Sequence, residues 1–337
     1  MRPLNILMTA GSRRVPLVQA FRTALRSLGM PGAVIVTDVN PLSPAVHVAD
    51  RAYRVPMATD QGYLPELLGI CDAEKIRLIV PTIDDELPLI GGARERFAQV
   101  GTLAACSPAQ TALLCNDKYA TCAHLQRAGM AAARTWLPGE LSSMPQLPLF
   151  IKPREGRGAV GAFAIRTLRE LEFFLGYVQN PVIQEYLDGP EYTIDVLCDL
   201  LGRPLSIVPR ERVVIRAGVI DRGRTVYDRR LIALAEAACA AMPFAGPVNI
   251  QCRLHKGQPY IFEINPRFSG GIPLTIQAGA DFPKMLLRLA LGRRVEPAIG
   301  AFRDDLWMTS FESSFFLEAP NLRMSAFDRH LRLEEAA

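Results

Sequence analysis

The sequence has few residues that bind transition metals or form disulfides, and they follow no recognisable spacing. There are four histidines and seven cysteines among 337 residues. The cysteines are odd in number, and no two of them form a Cys-x-x-Cys pair. A zinc site and a disulfide framework are therefore not indicated, and reduced thiols in a cytoplasmic protein are the expectation.

The chain also lacks a strong charge of one sign and a long uninterrupted apolar run. Its formal net charge is +4, and its basic residues are dispersed, so nucleic acid is not an expected partner. The longest apolar stretch, residues 231–252, is interrupted by Glu236, Pro243 and Gly246, which favours a buried helix and strand over a membrane span. The N-terminal apolar run contains Asn5 and is not typical of a secretion signal.

What the chain does contain is the composition of an ordinary globular protein. It is 49% hydrophobic and 21% charged, and its length suits two or three units with sizeable cores. The first hundred residues alternate strand and helix patterns, which predicts a parallel sheet covered on both faces. The predicted strands are residues 4–9, 33–38, 52–55 and 78–82, and the predicted helices are residues 15–28 and 63–74. Asp38 ends its strand as a ribose-binding acid does in dinucleotide-binding domains. Such a domain is therefore an alternative interpretation of the first hundred residues, although the Gly-x-Gly-x-x-Gly turn is missing.

The most informative motif is Glu263-Ile264-Asn265-Pro266-Arg267, at the end of an apolar run. Residues two apart on a strand face the same side, so Glu263 and Asn265 place two oxygens together, with Arg267 beside them. Oxygen ligands of this kind suit Mg²⁺ when phosphates complete its shell, and arginine suits a phosphate oxygen. Gln251 lies on the preceding strand of a predicted hairpin and adds a third oxygen. The alternative is a strand end followed by an Asx-type turn.

Lysines precede two other segments. Lys152 ends a predicted strand, and a glycine-rich stretch with Gly156, Gly158 and Gly161 follows it. Glycines let backbone N–H groups approach phosphate closely, and the lysine adds a point charge, although the spacing fits neither a Walker nor a Rossmann motif. Lys118 falls in the first turn of a predicted helix capped by Asn or Asp. Taken singly, a surface hairpin loop and a surface lysine are the alternatives.

Two further segments carry charged groups. An apolar strand leads into residues 185–187 and then into Glu191 beyond a Gly-Pro turn. Such a hinge can bind an adenine edge through its backbone, and the second acid can accept ribose hydroxyls, although both acids are equally explained as solvated. Arg210 and Arg212 are two residues apart and therefore share one face of a predicted strand. They could clamp a carboxylate or a phosphoryl group there. The alternative is a solvated basic edge strand.

The order of these elements resembles the ATP-grasp superfamily, and within it the stand-alone relatives of the carbamoyl-phosphate synthase large chain. The resemblance implies ATP and Mg²⁺ as cofactors, with Mn²⁺ as an alternative metal. It assigns ATP binding to Lys118, Lys152, Gly156, Gly158, Gly161, Glu185, Tyr186, Leu187 and Glu191. It assigns metal binding to Gln251, Glu263 and Asn265, and catalysis to Arg267 and Arg210.

The implied fold is α/β, with an N-terminal Rossmann-like (pre-ATP-grasp) parallel sheet followed by an ATP-grasp fold of two α+β subdomains. The predicted domains are residues 1–107, a lid subdomain with linking helices at 108–182, a large subdomain with the metal site at 183–300, and a C-terminal strand and tail at 301–337. Leu168 to Val178 is predicted to be a helix opened by a capping box, with Thr167 at the N-cap and Glu170 three residues on.

The implied activity is ATP-dependent ligation, in which a carboxylate becomes an acyl phosphate and an amine then attacks it. Small-molecule carboxylates and amines are the expected partners, nucleic acid and membrane are not, and a homodimer is the candidate assembly. Carbamoyl-phosphate synthesis itself is not expected, because the chain has one ATP-binding unit and nothing resembling a glutaminase. A phosphotransferase on the same fold and a non-catalytic ATP-binding regulator are the alternatives.

Overall fold

A computed structural model describes residues 3–141, 146–156, 158, 160–216 and 218–317. The described chain divides into two compact units. The first contains residues 3–109, 281–296 and 311–317, and the second contains residues 110–280 and 297–310. Within the described residues, no helix is long and apolar enough to cross a membrane.

The first unit is built on a five-stranded sheet in the order β3-β2-β1-β4-β5, and all of its pairings are parallel. The strands are β1 (Asn5–Met8), β2 (Val34–Asp38), β3 (Arg51–Arg54), β4 (Ile76–Val80) and β5 (Leu103–Ala104). The helices are α1 (Val15–Ser27), α2 (Pro44–Val48), α3 (Tyr63–Ala73), α4 (Leu87–Gly92) and α5 (Arg94–Gln99). Every residue of β2 is buried, as expected for a strand covered on both faces. The predicted parallel sheet is confirmed.

Asp38, on which the dinucleotide-binding alternative depends, is occupied by its own backbone surroundings. One carboxylate oxygen accepts the Ser12 N–H at 2.7 Å, and the other accepts the Asn40 N–H at 2.9 Å. The carboxylate therefore fixes the two turns at this end of the sheet. This local role accounts for an acid at the strand end without a ribose.

One helix of the first unit comes from much later in the chain. Helix α11 (Phe282–Ala290) is amphipathic and contacts α1 and β4, with Phe282, Leu286 and Leu287 buried. The predicted large subdomain at 183–300 includes this segment, whereas the contacts group residues 281–296 with the first unit. An amphipathic pattern predicts that a helix packs, but it does not identify the sheet against which it packs.

The smaller sheet of the second unit has four strands in the order β6-β9-β7-β8, all antiparallel. Its strands are β6 (Thr135–Trp136), β7 (Leu149–Pro153), β8 (Phe163–Ile165) and β9 (Pro181–Glu185). Helix α8 (Leu168–Tyr177) packs on it through Leu171, and the predicted capping box of Thr167 and Glu170 is confirmed. Helices α6 (Ala109–Asn116) and α7 (Lys118–Arg127) precede the sheet, within the segment predicted to contain linking helices, and Lys118 lies in the first turn of α7 as predicted.

The larger sheet of the second unit has six strands in the order β14-β13-β10-β11-β12-β15, again antiparallel. Its strands are β10 (Glu191–Cys198), β11 (Pro204–Arg216), β12 (Val219–Thr225), β13 (Gly246–His255), β14 (Gln258–Asn265) and β15 (Trp307–Thr309). Helix α9 (Arg229–Ala241) covers one face, where Ile194, Ile207 and Ile250 belong to a single apolar cluster. Helix α10 (Ile272–Gln277) follows β14. Strand β15 lies in the segment predicted as strand and tail, and residues 318–337 of that segment are outside the described residues.

Candidate active site

The face of the six-stranded sheet opposite α9 carries polar and charged side chains in register. Directly paired residues of an antiparallel sheet project to the same side, so the pairing defines rows across this face. One row contains Arg253 and Glu191, the next contains Glu263, Gln251, Thr193 and Arg210, and a third contains Asn265, Asn249 and Asp195. Four strands from two separate parts of the sequence, β10 with β11 and β13 with β14, thus place their acids, amides and arginines side by side.

A cavity of about 160 Å³ opens within the second unit beside this face. Its wall contains most of the predicted phosphate and metal residues together with parts of the glycine-rich loop and of the β11–β12 hairpin. The lining residues are Lys118, Phe150, Lys152, Pro153, Glu155, Gly156, Gly158, Val160, Ala162, Glu191, Arg212, Ile215, Gly218, Gln251, Phe262 and Glu263. Sites for drug-sized ligands span roughly 300–1,000 Å³, so this volume suits a phosphate chain better than a whole nucleotide.

Lys118 joins helix α7 to the glycine-rich loop. Asp117 caps the helix by accepting the Ala120 N–H at 2.9 Å, which confirms the predicted cap. The Lys118 side chain is buried, and its Nζ donates to the Gly156 carbonyl at 2.9 Å. Asp117 also accepts from Arg154, which lies just before the loop. The lysine and the loop are therefore held together by contacts within the protein.

Lys152 lies on β7 and is only 5% exposed. Its Nζ donates to the Phe262 carbonyl at 3.1 Å and lies 5.1 Å from the centre of the Phe262 ring. Burial lowers the pKa of Lys152 from its ordinary value, and the nearby Glu263 carboxylate opposes that shift. A desolvated cation with one hydrogen bond retains N–H groups for an anion.

The predicted metal residues form a connected set. Gln251 and Glu263 are paired across the β13–β14 hairpin, as predicted, and both line the cavity. Asn265 Nδ2 donates to Glu263 Oε1 at 3.0 Å, and Arg267 Nη2 donates to Asn265 Oδ1 at 3.2 Å. The described residues contain no group of three His, Cys, Asp or Glu side chains suited to a metal. One carboxylate with amide oxygens fits Mg²⁺ that arrives with phosphate ligands, and does not fit a metal held by protein alone.

Glu191 is bound by two arginines, one on each neighbouring strand. Its Oε1 accepts from Arg212 Nη1 at 2.6 Å, and its Oε2 accepts from Arg253 Nη2 at 2.5 Å. The carboxylate is therefore held in place by both arginines while it faces the cavity. A ribose hydroxyl would find an oriented acceptor here.

Arg212 is the cation whose role the sequence analysis left open, and the structure places it in the cavity wall. Besides Glu191, it donates to the Gly218 carbonyl at 2.7 Å, which anchors the tip of the β11–β12 hairpin. Gly218 has φ +75°, and a Cβ there would lie 2.7 Å from the Gly158 carbonyl carbon. The hairpin tip thus meets the glycine-rich loop so closely that only glycine fits.

Several predicted residues do not line this cavity. The Glu185 carboxylate accepts from the Arg134 N–H and Nε at 2.8 and 3.0 Å, and Tyr186 and Leu187 are likewise absent from the wall. Gly161 packs near the Pro153 ring instead of facing the cavity. The adenine-binding assignment of residues 185–187 stays a prediction, because the cavity has only the size of the phosphate end.

Arg210 differs most from its predicted environment. It shares a strand face with Arg212, as expected, but its side chain is 1% exposed, and its Nε donates to Asp195 Oδ2 at 2.7 Å. A side chain enclosed in this way does not reach a ligand in the cavity, so direct clamping of substrate by Arg210 is not supported. The residue in the same alternation that faces the cavity is Arg212, one row nearer Glu191.

Two family models match the chain. Residues 6–105 match the model described as "PylC-like, N-terminal domain". Residues 178–313 match the model described as "ATP-grasp in the biosynthetic pathway with Ter operon". The second match contains Glu191, Arg212 and the β13–β14 hairpin, whereas Lys118 and Lys152 precede it.

The chain is also similar to curated relatives and to solved structures. The chain is 28% identical over 180 residues to the carbamoyl phosphate synthase large chain of Thermoanaerobacter pseudethanolicus, which is 48% of this chain and 16% of that protein. It superposes with a TM-score of 0.71 on a biotin carboxylase–ATP-analogue complex from Campylobacter jejuni, at 16% identity, covering 90% of this chain and 74% of the other. The TM-score with an L-amino acid ligase from Bacillus licheniformis is 0.68, at 20% identity, covering 90% and 78%. These two likenesses concern the fold.

Proposed function

We propose that the chain is an ADP-forming ligase that joins a carboxylate to an amine, because residues 6–105 match a PylC-like N-terminal domain and residues 178–313 match an ATP-grasp domain. The observation that carries this proposal is one cavity lined by Lys118, Lys152, Gln251 and Glu263. Cations and oxygen ligands are what a nucleotide triphosphate and its metal require. The chain spans only 16% of the length of its first curated relative, so the activity is argued from the cavity and not from that protein.

In the proposed reaction, a substrate carboxylate oxygen attacks the γ-phosphorus of ATP, and ADP leaves. The amine then attacks the carbonyl carbon of the acyl phosphate, and phosphate departs as the amide forms. Lys118 and Lys152 hold the phosphate chain, and Glu191 orients the ribose. Gln251, Glu263 and Asn265 would hold Mg²⁺, or Mn²⁺ in its place, which would supply positive charge to the phosphate groups. Arg267 is assigned to the phosphoryl group undergoing transfer.

Protection from water is the second requirement, because an acyl phosphate hydrolyses. Gly156 and Gly158 have positive φ angles, and Gly158 meets Gly218 of the β11–β12 hairpin. We assign this pair of loops to covering the phosphates during the reaction. The chain then needs no nucleophilic side chain of its own, because positioning and charge neutralisation suffice.

Two alternatives use the same cavity. A phosphotransferase would transfer the phosphoryl group to a hydroxyl and release a stable phosphorylated product. A regulator would bind ATP without turnover, and the presence of Gln251, Glu263 and Asn265 together argues against it, because a binder has no need for a complete metal set. We also propose that the protein is cytoplasmic, that its partners are small molecules and that its candidate assembly is a homodimer.

Hydroxylamine trapping tests the proposal. The protein is incubated with ATP, Mg²⁺, hydroxylamine and pools of amino and hydroxy acids, and ADP and hydroxamate are both measured. We expect hydroxamate with at least one pool, and ADP release only when a carboxylate is present, because the γ-phosphorus needs an aligned attacking oxygen. A phosphorylated hydroxyl product without hydroxamate would support the phosphotransferase, and neither product would support the regulator. Glu263→Gln is the matched loss-of-function variant.

A further inference from the structure

Arg210 and Asp195 form an ion pair that is almost completely enclosed. Each side chain is 1% exposed, and Arg210 Nε donates to Asp195 Oδ2 at 2.7 Å. The pair lies on adjacent strands β11 and β10, on the same face as Gln251 and Glu263. It is therefore next to the metal residues without lining the cavity.

Both members of the pair also hold the chain that follows Arg267. Arg210 Nη2 donates to Ser269 Oγ at 2.8 Å, and Thr275 Oγ1 donates to Asp195 Oδ2 at 2.5 Å. Between these two contacts, Gly271 approaches Arg210 Nη1 so closely that a Cβ would collide with it. The segment from Ser269 to Thr275 is thus fixed to the sheet at both ends.

The fixed segment begins two residues after Arg267, whose position depends on a short series of hydrogen bonds. The Arg267 N–H donates to the Asn265 carbonyl at 2.8 Å, and Arg267 Nη2 donates to Asn265 Oδ1. Asn265 in turn donates to Glu263. A shift of the segment after Arg267 would therefore move Arg267, Asn265 and the Glu263 carboxylate together.

We propose that the Arg210–Asp195 pair is a positioning clamp that sets the Arg267 turn against the metal and phosphate groups. The catalytic role of the Arg267 turn rests on the proposed function. The clamp itself rests on the contacts of Arg210 and Asp195 with Ser269 and Thr275. It replaces the predicted contact between Arg210 and substrate.

Stability alone is a poor explanation for this pair. Desolvation of two charges often cancels their attraction, and apolar replacements of buried ion pairs are frequently neutral or stabilising. Moreover, within the described part of the chain Arg210 Nη1 and Asp195 Oδ1 are buried without a protein hydrogen-bond partner, which adds to the cost. An arrangement that is expensive in stability but connects three segments at the site is better explained by the geometry it imposes.

The test separates metal placement from nucleotide binding and from stability. Asp195→Asn, Arg210→Lys, Thr275→Val and their double variants are compared with wild type. Mn²⁺ affinity is measured by electron paramagnetic resonance in the presence of the non-hydrolysable analogue adenylyl imidodiphosphate, and the affinity of the analogue is measured by calorimetry. Unfolding in urea is recorded for each variant. Ile207→Ala is the control, because Ile207 is buried on the opposite face of β11 in the apolar cluster under α9.

We expect Mn²⁺ affinity to fall at least about tenfold in the clamp variants, while the affinity for the analogue measured without metal changes by less than about threefold. An ångström-scale misplacement can cost roughly a hundredfold in turnover, so hydroxamate formation should fall further. Each double variant should lose no more Mn²⁺ affinity than the weaker-binding of its two single variants, because the residues act as one unit. Ile207→Ala should lose stability and keep its Mn²⁺ affinity.

Three results would overturn the clamp. The first is an equal loss of Mn²⁺ affinity in Ile207→Ala at matched stability. The second is clamp variants that lose stability alone. The third is a raised KM for the carboxylate in Arg210→Lys without any effect of Asp195→Asn or Thr275→Val, which would restore direct substrate contact. Because Mn²⁺ and analogue binding need no turnover, an absence of hydroxamate in wild type would count against the ligase and leave the clamp measurable.

Discussion

Replacing Lys152 with methionine should separate nucleotide binding from folding. Methionine keeps an unbranched stem and removes the charge. The change leaves the Phe262 carbonyl without the donor that now lies 3.1 Å away, a loss of about 1–3 kcal/mol for a buried acceptor. It also removes the desolvation of a cation that is only 5% exposed. These two effects oppose each other, so the free energy of unfolding of the ligand-free protein should change by less than about 2 kcal/mol.

Nucleotide binding has no such compensation. A hydrogen bond from a charged donor is worth about 1.5–3 kcal/mol, which corresponds to roughly 10- to 150-fold in affinity for Mg²⁺-bound adenylyl imidodiphosphate. Calorimetry gives this affinity, and urea unfolding gives the stability. Lys256→Met is the matched control, because Lys256 is exposed at the turn of the β13–β14 hairpin. Unchanged affinity in Lys152→Met, or an equal loss in Lys256→Met, would refute the phosphate assignment.

The same residue predicts a dependence on pH. Burial lowers the pKa of Lys152 below its ordinary 10.5, so between the lowered value and 10.5 the unfolded chain binds more protons than the folded one. The stability contribution of Lys152 is therefore complete above 10.5 and is lost as the pH falls through the lowered pKa. Phosphate binding favours the ammonium form, so nucleotide binding in that window should take up a proton and weaken as the pH rises. Lys152→Met should abolish both effects.

Three further predictions concern the metal site, the recognition of adenine and the cysteine thiols. Glu263→Gln keeps the shape of the side chain and removes its charge, so metal-dependent turnover should fall more than about tenfold while metal-free nucleotide binding does not weaken, which metal titrations of turnover and of binding would check. If the backbone of residues 185–187 reads adenine, GTP should be used roughly ten- to a hundredfold less well than ATP in kcat/KM, and equal use would refute the hinge. All seven cysteines are free and buried, and burial raises the pKa of Cys71 and of Cys106 to about 12, so a thiol reagent such as dithiobis(nitrobenzoate) should label fewer than about one thiol per folded chain and all of them in urea. Rapid labelling of the folded protein would contradict the burial.

Much of this architecture could be predicted from sequence because it depends on local periodicity. The alternation of apolar strands and amphipathic helices in the first hundred residues predicts a parallel sheet, and β1 to β4 lie within two residues of the expected bounds. The pairing of Gln251 with Glu263 follows from a short turn between two strands, because a hairpin of known length fixes its own register. The packing of α11 on the first unit escaped prediction because its partners, α1 (Val15–Ser27) and β4 (Ile76–Val80), lie far earlier in the chain than Phe282, where the helix begins.

The two arginines of β11 show what the alternation of residues along a strand can and cannot predict. Period-two alternation correctly places Arg210 and Arg212 on one face of a strand. It does not say which of them lies opposite Thr193 and which lies beside Glu191, because that depends on the register with a strand brought in by tertiary structure. One step of register separates a cation enclosed with Asp195 from a cation on the cavity wall. The Arg-x-Arg pattern in the sequence pointed to this strand face, but the structure was needed to show that Arg212, and not Arg210, faces the cavity.

The charges around the cavity explain why a metal should be required at all. Three cations, Lys118, Lys152 and Arg212, face three carboxylates, Glu155, Glu191 and Glu263. The wall is therefore close to neutral, and net charge alone does not draw in a polyanionic phosphate chain. The Glu263 carboxylate, beside Gln251 and Asn265, would repel phosphate, and a divalent cation held by these residues would offset that repulsion. In the proposed ligase, tight nucleotide binding should therefore depend on the metal. Arg210 and Arg253 hold the surrounding acids in place through ion pairs with Asp195 and Glu191.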